Sequence, residues 1–132
     1  MSELEVNGHW PKVENNQLQE LIIQEFWYDG VLEEPVNVAY LKVSNLWYKL
    51  YFDCGIVFWR QGHEGLEDEL ASRNKDTEYP IKDLAEELGI KGSEITSCSG
   101  KVILEGSEVE LKIKGHKALV FQCINDVTTV KT

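Results

Sequence analysis

Cysteine, proline and methionine are scarce: three, three and one in 132 residues. The cysteines, Cys54, Cys98 and Cys123, are odd in number and far apart, and no CxxC pair occurs. Without an export signal such spacing favours free thiols over a disulfide framework and argues against a structural zinc site. Cys123, inside a strand-like run, reads as a small buried hydrophobe. No apolar run approaches the ~20 residues a membrane helix needs. The start, MSELEVNGHW, lacks the basic and apolar segments of a signal peptide, so a cytoplasmic protein without membrane contact is expected. Basic residues are also few. Thirteen Lys and Arg stand against 23 Asp and Glu, a formal net charge of −10. That balance argues against binding a nucleic acid backbone, which wants a basic stripe, so no nucleic acid partner is expected. There is no GxSxG elbow, no phosphate loop and no GxGxxG, so no cofactor is expected and no residue is assigned to catalysis.

The acids are unevenly spread. Residues 1–34 hold eight acids and one base, and residues 61–90 hold nine acids and three bases. Acidic faces keep a protein in solution, and they also steer it toward a basic partner.

What the chain has in abundance is aromatic residues in one place. Leu46 to Arg60 holds six of the 13 aromatics: Trp47, Tyr48, Tyr51, Phe52, Phe58 and Trp59. The stretch reads as two strands around Asp53-Cys54-Gly55, a three-residue hairpin loop ending in glycine. That loop sets Phe52 opposite Ile56, Leu50 opposite Phe58 and Lys49 opposite Trp59. Ser44-Asn45 is a second turn, setting Val43 opposite Leu46, Leu41 opposite Tyr48 and Ala39 opposite Leu50. Side chains alternate across a sheet, so these registers define faces. One face collects Ala39, Leu41, Val43, Leu46, Tyr48, Leu50, Phe52, Ile56 and Phe58, a core. The other mixes rings with lysines: Tyr40, Lys42, Trp47, Lys49, Tyr51 and Trp59, with Val38 and Val57. These six ring and lysine residues form the candidate binding surface, since Trp and Tyr anchor many protein interfaces. The competing structural reading is that the Leu18–Tyr28 element or a helix at Pro80–Leu88 covers this face, because an exposed sheet so rich in rings invites aggregation.

Elsewhere, residues 1–16 and 126–132 are expected to be loosely ordered, within a single domain. Leu18 to Tyr28 fits helix or strand, and its end, IIQEFWY, favours strand. Asp29-Gly30 turns the chain, and Glu33-Glu34-Pro35 reads as loop. Leu66 to Asn74 suggests a short helix and Lys75 to Tyr79 a connector. Pro80 to Leu88 is the clearest helix, with Ile81, Leu84, Ala85 and Leu88 as its apolar stripe and Gly89 as its cap. Gly106-Ser107 is expected to be a two-residue hairpin loop opposing Leu104 to Val109. Ala118 to Ile124, apolar on both faces, reads as an interior strand. The class is therefore α+β: mainly antiparallel sheet built from hairpins and meanders, with one or two short helices inserted mid-chain.

Three functions fit this reading. The first is a non-enzymatic acidic module of the immunity or antitoxin kind, occluding a basic protein through electrostatic steering. The second is a small-molecule binder, its pocket lined by Tyr40, Trp47, Tyr51 and Trp59 between the sheet and a covering helix. The third is an enzyme or metal site using His63 with Glu64, Asp68 and Glu69. That cluster lacks a second histidine at the zinc-protease spacing and the glycine of a calcium loop, so a solvated acidic face is the simpler explanation. No metal is therefore expected.

Overall fold

A computed structural model describes residues 3–64, 66 and 76–132. The elements run β1 (Val6–Asn7), β2 (Leu18–Tyr28), β3 (Val31–Val43), β4 (Leu46–Asp53), β5 (Ile56–Gln61), β6 (Thr77–Glu78), β7 (Ile81–Asp83), α1 (Leu84–Leu88), β8 (Ile95–Ile103), β9 (Gly106–Ile113), β10 (Leu119–Ile124) and β11 (Val127–Lys131). One sheet has the order β1-β5-β4-β3-β2-β6, with β7 also paired to β2, and the other has the order β11-β10-β9-β8. All the pairings are antiparallel except β1 with β5. The described chain is thus mostly antiparallel sheet. Among the described residues the helical share expected of an α+β protein is the five residues of α1.

The two sheets meet across one apolar cluster. Leu21, Ala39, Leu41, Leu50, Val57 and Trp59 come from the first, and Cys98, Val109, Leu111 and Phe121 from the second. The void between these layers is about 10 Å³ and wholly apolar in lining, so the interior is filled rather than a ligand chamber. At one end a bridge between Gln17 and Glu94 ties the start of β2 to the chain entering β8. Beside β11, Glu34 of β3 accepts a hydrogen bond from the Thr128 amide. Burial and the nearby Asp126 charge raise the Glu34 pKa, while this hydrogen bond opposes them.

Strand β2 is continuous, as its β-branched and aromatic end implies. So is β3, which runs straight through Glu33-Glu34-Pro35 where a loop is expected. Proline is tolerated there because β2 and β3 lose regular register over this stretch, between Gln24 and Trp27 of β2. The β3–β4 turn is the expected Ser44-Asn45, both residues left-handed, and its registers Val43–Leu46, Leu41–Tyr48 and Ala39–Leu50 hold.

The β4–β5 hairpin differs by one residue. Its loop is Cys54-Gly55 alone, with φ of 51° and 77°, so Asp53 pairs with Ile56, Tyr51 with Phe58 and Leu50 with Trp59. The slip turns β5 over. Val57 and Trp59 face the core, at 0% and 3% exposure, while Phe58 stacks on Tyr51 outside. The cause is visible in the sequence: Ile56-Val57-Phe58-Trp59 is apolar on both faces, so alternation does not choose between registers. The left-handed Cys54 is held by a hydrogen bond from its amide to Asp126 Oδ1, 3.0 Å.

The β8–β9 turn also differs, by two residues, without turning a strand over. It is Leu104-Glu105, not Gly106-Ser107, with Ile103 paired to Gly106 and Glu105 left-handed at φ 62°. Leu104 consequently stands 88% exposed, and Gly106 serves close strand approach instead of turning.

The helix expected from Pro80 begins only at Leu84. Asp83 caps it, accepting from the Glu86 amide at 3.1 Å. Before it, Ile81–Asp83 pairs with β2, and the Pro80 carbonyl accepts from the Glu25 amide. These residues, with Thr77–Glu78, cover an otherwise open strand edge, a demand that outweighs local helix preference. The glycine cap is as expected. Gly89 is left-handed, and the Ile90 amide reaches back to the Ala85 carbonyl.

Both chain ends are more ordered than expected. Val6–Asn7 pairs with β5, Val13 is fully buried, and Val127–Lys131 forms half of a hairpin with the interior strand β10. The expected Leu66–Asn74 helix lies outside the described residues, apart from Leu66.

Candidate functional site

The expected ring-and-lysine face exists in part. Tyr40, Lys42, Trp47, Lys49 and Tyr51 do share the outer side of the first sheet, but Trp59 is on the inner side. Lys42 Nζ lies 5.6 Å from the Trp47 ring and pairs with Glu20 at 3.8 Å. Lys49 Nζ sits 6.0 Å from the Tyr51 ring, and Arg60 lies 5.5 Å from the ring of Phe58, which takes the outer place assigned to Trp59. Among the described residues the cover over this face is neither β2 nor α1. It is the chain just after β5. The Glu64 carbonyl accepts from Tyr40 Oη (3.2 Å) and Lys49 Nζ (3.0 Å), and His63 meets Trp47 edge-on at 5.9 Å. Leu66 joins Ile22, Val38 and Tyr40 in a second small apolar cluster. Tyr40 is 1% exposed, so the centre of this face is structural. His63 is engaged with Trp47, and the Asp68 and Glu69 expected beside it lie outside the described residues.

A second surface lies at the end where three hairpin turns converge. The Cys54 amide donates to Asp126 Oδ1, Ser107 Oγ donates to the Gly55 carbonyl at 2.8 Å, and the Asn125 amide donates to the Glu105 carbonyl at 3.1 Å. This knits the turns at 54–55, 104–105 and 125–126 into one platform. Its acids are Asp53, Glu105 and Asp126. Its apolar members are Leu104, Ile124 and Val127, exposed by 88%, 39% and 43%. Ile124 and Val127 are cross-strand partners, and Ile124 also pairs with Gly106, two residues on from Leu104. Asp53, Cys54 and Asp126 offer ligand atoms within 4.8 Å of one another, all exposed.

The thiols are poor nucleophiles. A hydrogen bond to Asp53 and the charges of Asp53 and Asp126 hold Cys54 above its ordinary pKa. Burial pushes Cys98 up to about 12 and also raises Cys123. In the native protein a disulfide-exchange reagent should label Cys54 alone, with Cys98 and Cys123 at least ~100-fold slower until the fold opens. Asp53→Asn should speed Cys54 labelling at fixed pH, because it lowers the thiol pKa. Rapid reaction of two or three thiols in the native state would contradict the placement.

A third feature is a cleft of about 580 Å³ between residues 7–12 and the ends of β4 and β5. Gly8 lets the two segments close on each other. A Cβ there would fall 2.0 Å from the Trp59 carbonyl, and its φ of +102° already disfavours a side chain. Arg60 grips the same segment through the Asn7 carbonyl (3.1 Å) and Asn7 Oδ1 (2.6 Å). Trp10 donates its indole N–H to the Cys98 carbonyl at 2.8 Å and meets Trp59 edge-on at 5.6 Å. The sequence signal for this site, His9-Trp10-Pro11, sits in a segment that composition marks as loose, so sequence reasoning missed it.

Comparison with family models, curated proteins and solved structures found no match to this chain. Among the described residues no helix is long and apolar enough to cross a membrane.

Proposed function

We propose that the protein is a non-enzymatic binding module, of the immunity or antitoxin kind, that occludes a basic partner with the turn platform at 53–55, 104–106 and 124–127. The observation that carries this reading is Leu104, 88% exposed beside Glu105. A large aliphatic side chain in water, next to Glu105 on a set of tied turns that also carries Asp53 and Asp126, suits an apolar anchor with acidic neighbours. The net charge of −10 would speed encounter with a cationic surface. The platform replaces the ring-and-lysine face as the favoured surface, because that face is cationic and its centre is covered.

The small-molecule reading loses the pocket first drawn for it. Tyr40, Trp47 and Tyr51 lie on one side of the sheet and Trp59 on the other, and α1 packs against β2.

The test is capture of a basic protein across a salt series, repeated with Leu104→Ser and Asp53→Lys. Binding should weaken as salt rises, and each variant should reduce it by roughly ten-fold while leaving the melting temperature unchanged. Salt-independent capture, or capture indifferent to both substitutions, would reject the platform.

A further inference from the structure

The cleft between residues 7–12 and β4–β5 has a composition at odds with the rest of the chain. None of its lining residues is an Asp or Glu, in a protein where acids outnumber bases 23 to 13. Its cations are not neutralised by carboxylates, although Arg60 makes three hydrogen bonds and lies 5.5 Å from the Phe58 ring. Lys42, Lys82, Lys91, Lys101 and Lys112 each pair with a carboxylate. Lys12 and Arg60, both lining the cleft, enter none of the ion pairs among the described residues, and neither do Lys114, Lys117 and Lys131 elsewhere. Arg60 donates to the Asn7 carbonyl, Asn7 Oδ1 and the Trp59 carbonyl, which leaves part of its five-donor guanidinium free.

The walls are aromatic. Trp10 is fixed by its hydrogen bond to Cys98, Tyr48 comes from β4, and Trp59, 3% exposed, is shared between the cleft and the core. The volume, about 580 Å³, is in the range of small-ligand sites. Rings held rigidly by the fold, with cations at the rim, recognise a flat apolar body that ends in negative charge.

We infer that this cleft binds a small aromatic anion, its ring against Trp10 and Tyr48 and its carboxylate, sulfonate or phosphate toward Lys12 and Arg60. The site is separate from the turn platform, and neither depends on the other.

The test uses two probes of similar shape and opposite charge, naphthalene-2-sulfonate and 2-naphthylmethylammonium, followed by the four tryptophan indole N–H resonances. The sulfonate should shift Trp10 and Trp59 and bind about ten-fold more tightly than the ammonium. Lys12→Glu, an exposed change that takes no part in the Asn7–Arg60 hydrogen bonds, should erase that preference without altering the melting temperature. Arg60→Gln should weaken the sulfonate further. Equal binding of the two probes, binding of neither, or shifts confined to Trp27 and Trp47 would overturn the inference.

Discussion

Gly106→Ala should destabilise the protein by about 3 kcal/mol or more, enough to unfold much of it at moderate urea. A Cβ at this position would stand 1.7 Å from the Cys123 carbonyl oxygen and 2.8 Å from its carbon. Those are backbone atoms of the neighbouring strand, so relief requires β9 and β10 to separate. The backbone of Gly106 is not left-handed, so the cost is steric and not conformational. Gly115→Ala makes the contrast. That residue has φ +77° with nothing near, and its substitution should cost about 1 kcal/mol. Urea midpoints of the two variants decide the matter. Equal losses would mean that β9 and β10 do not approach as described.

The second large effect is at Trp59. Trp59→Ala should cost about 3–5 kcal/mol, because it empties a side chain that touches both sheets. Trp59→Phe should cost less than about 1.5 kcal/mol. The indole Nε1 is buried without a hydrogen-bond partner among the described residues, so phenylalanine loses volume but also removes an unsatisfied donor. A full denaturation curve for each variant, followed by circular dichroism, separates these outcomes. A severe loss in Trp59→Phe would show that the N–H has an acceptor, for instance an ordered water. A mild loss in Trp59→Ala would return Trp59 to the outer face, with the three-residue loop.

How much of this fold was readable depends on where alternation breaks. Leu41, Val43 and Leu50 each have a lysine neighbour, and with the Ser44-Asn45 turn their register follows from the sequence. Ile56 to Trp59 offers no polar residue, so the choice fell to the turn. There a glycine after Asp-Cys suggested one residue too many, since Cys54 takes a left-handed conformation that its type disfavours. At Gly106 the same habit of reading glycine as a turn residue failed for the opposite reason: it leaves room for a neighbouring strand. The stripe Ile81, Leu84, Ala85 and Leu88 is a sound helical pattern, yet its first turn is taken by pairing to β2, an interaction invisible locally.

The sites were less legible than the fold. Of the proposed surface residues, Tyr40, Lys42, Trp47, Lys49 and Tyr51 do share a face, but neither its partial cover by Glu64 and Leu66 nor the loss of Trp59 could be read from spacing. The cleft and the turn platform are both made of residues brought together across long stretches of chain, 53 residues for Asn7 and Arg60 and 72 for Cys54 and Asp126. Local pattern carries no trace of such meetings.

The hook of residues 7–10 onto the rest of the molecule also bears on how the chain assembles. Trp10 finds its carbonyl partner 88 residues away, on a strand of the other sheet. Such a contact returns nothing until both sheets stand, so the entropy of closing that long loop falls late in the folding reaction. The hairpins can zip first from their own tight turns. The amino-terminal strap then acts as a latch across a seam already formed.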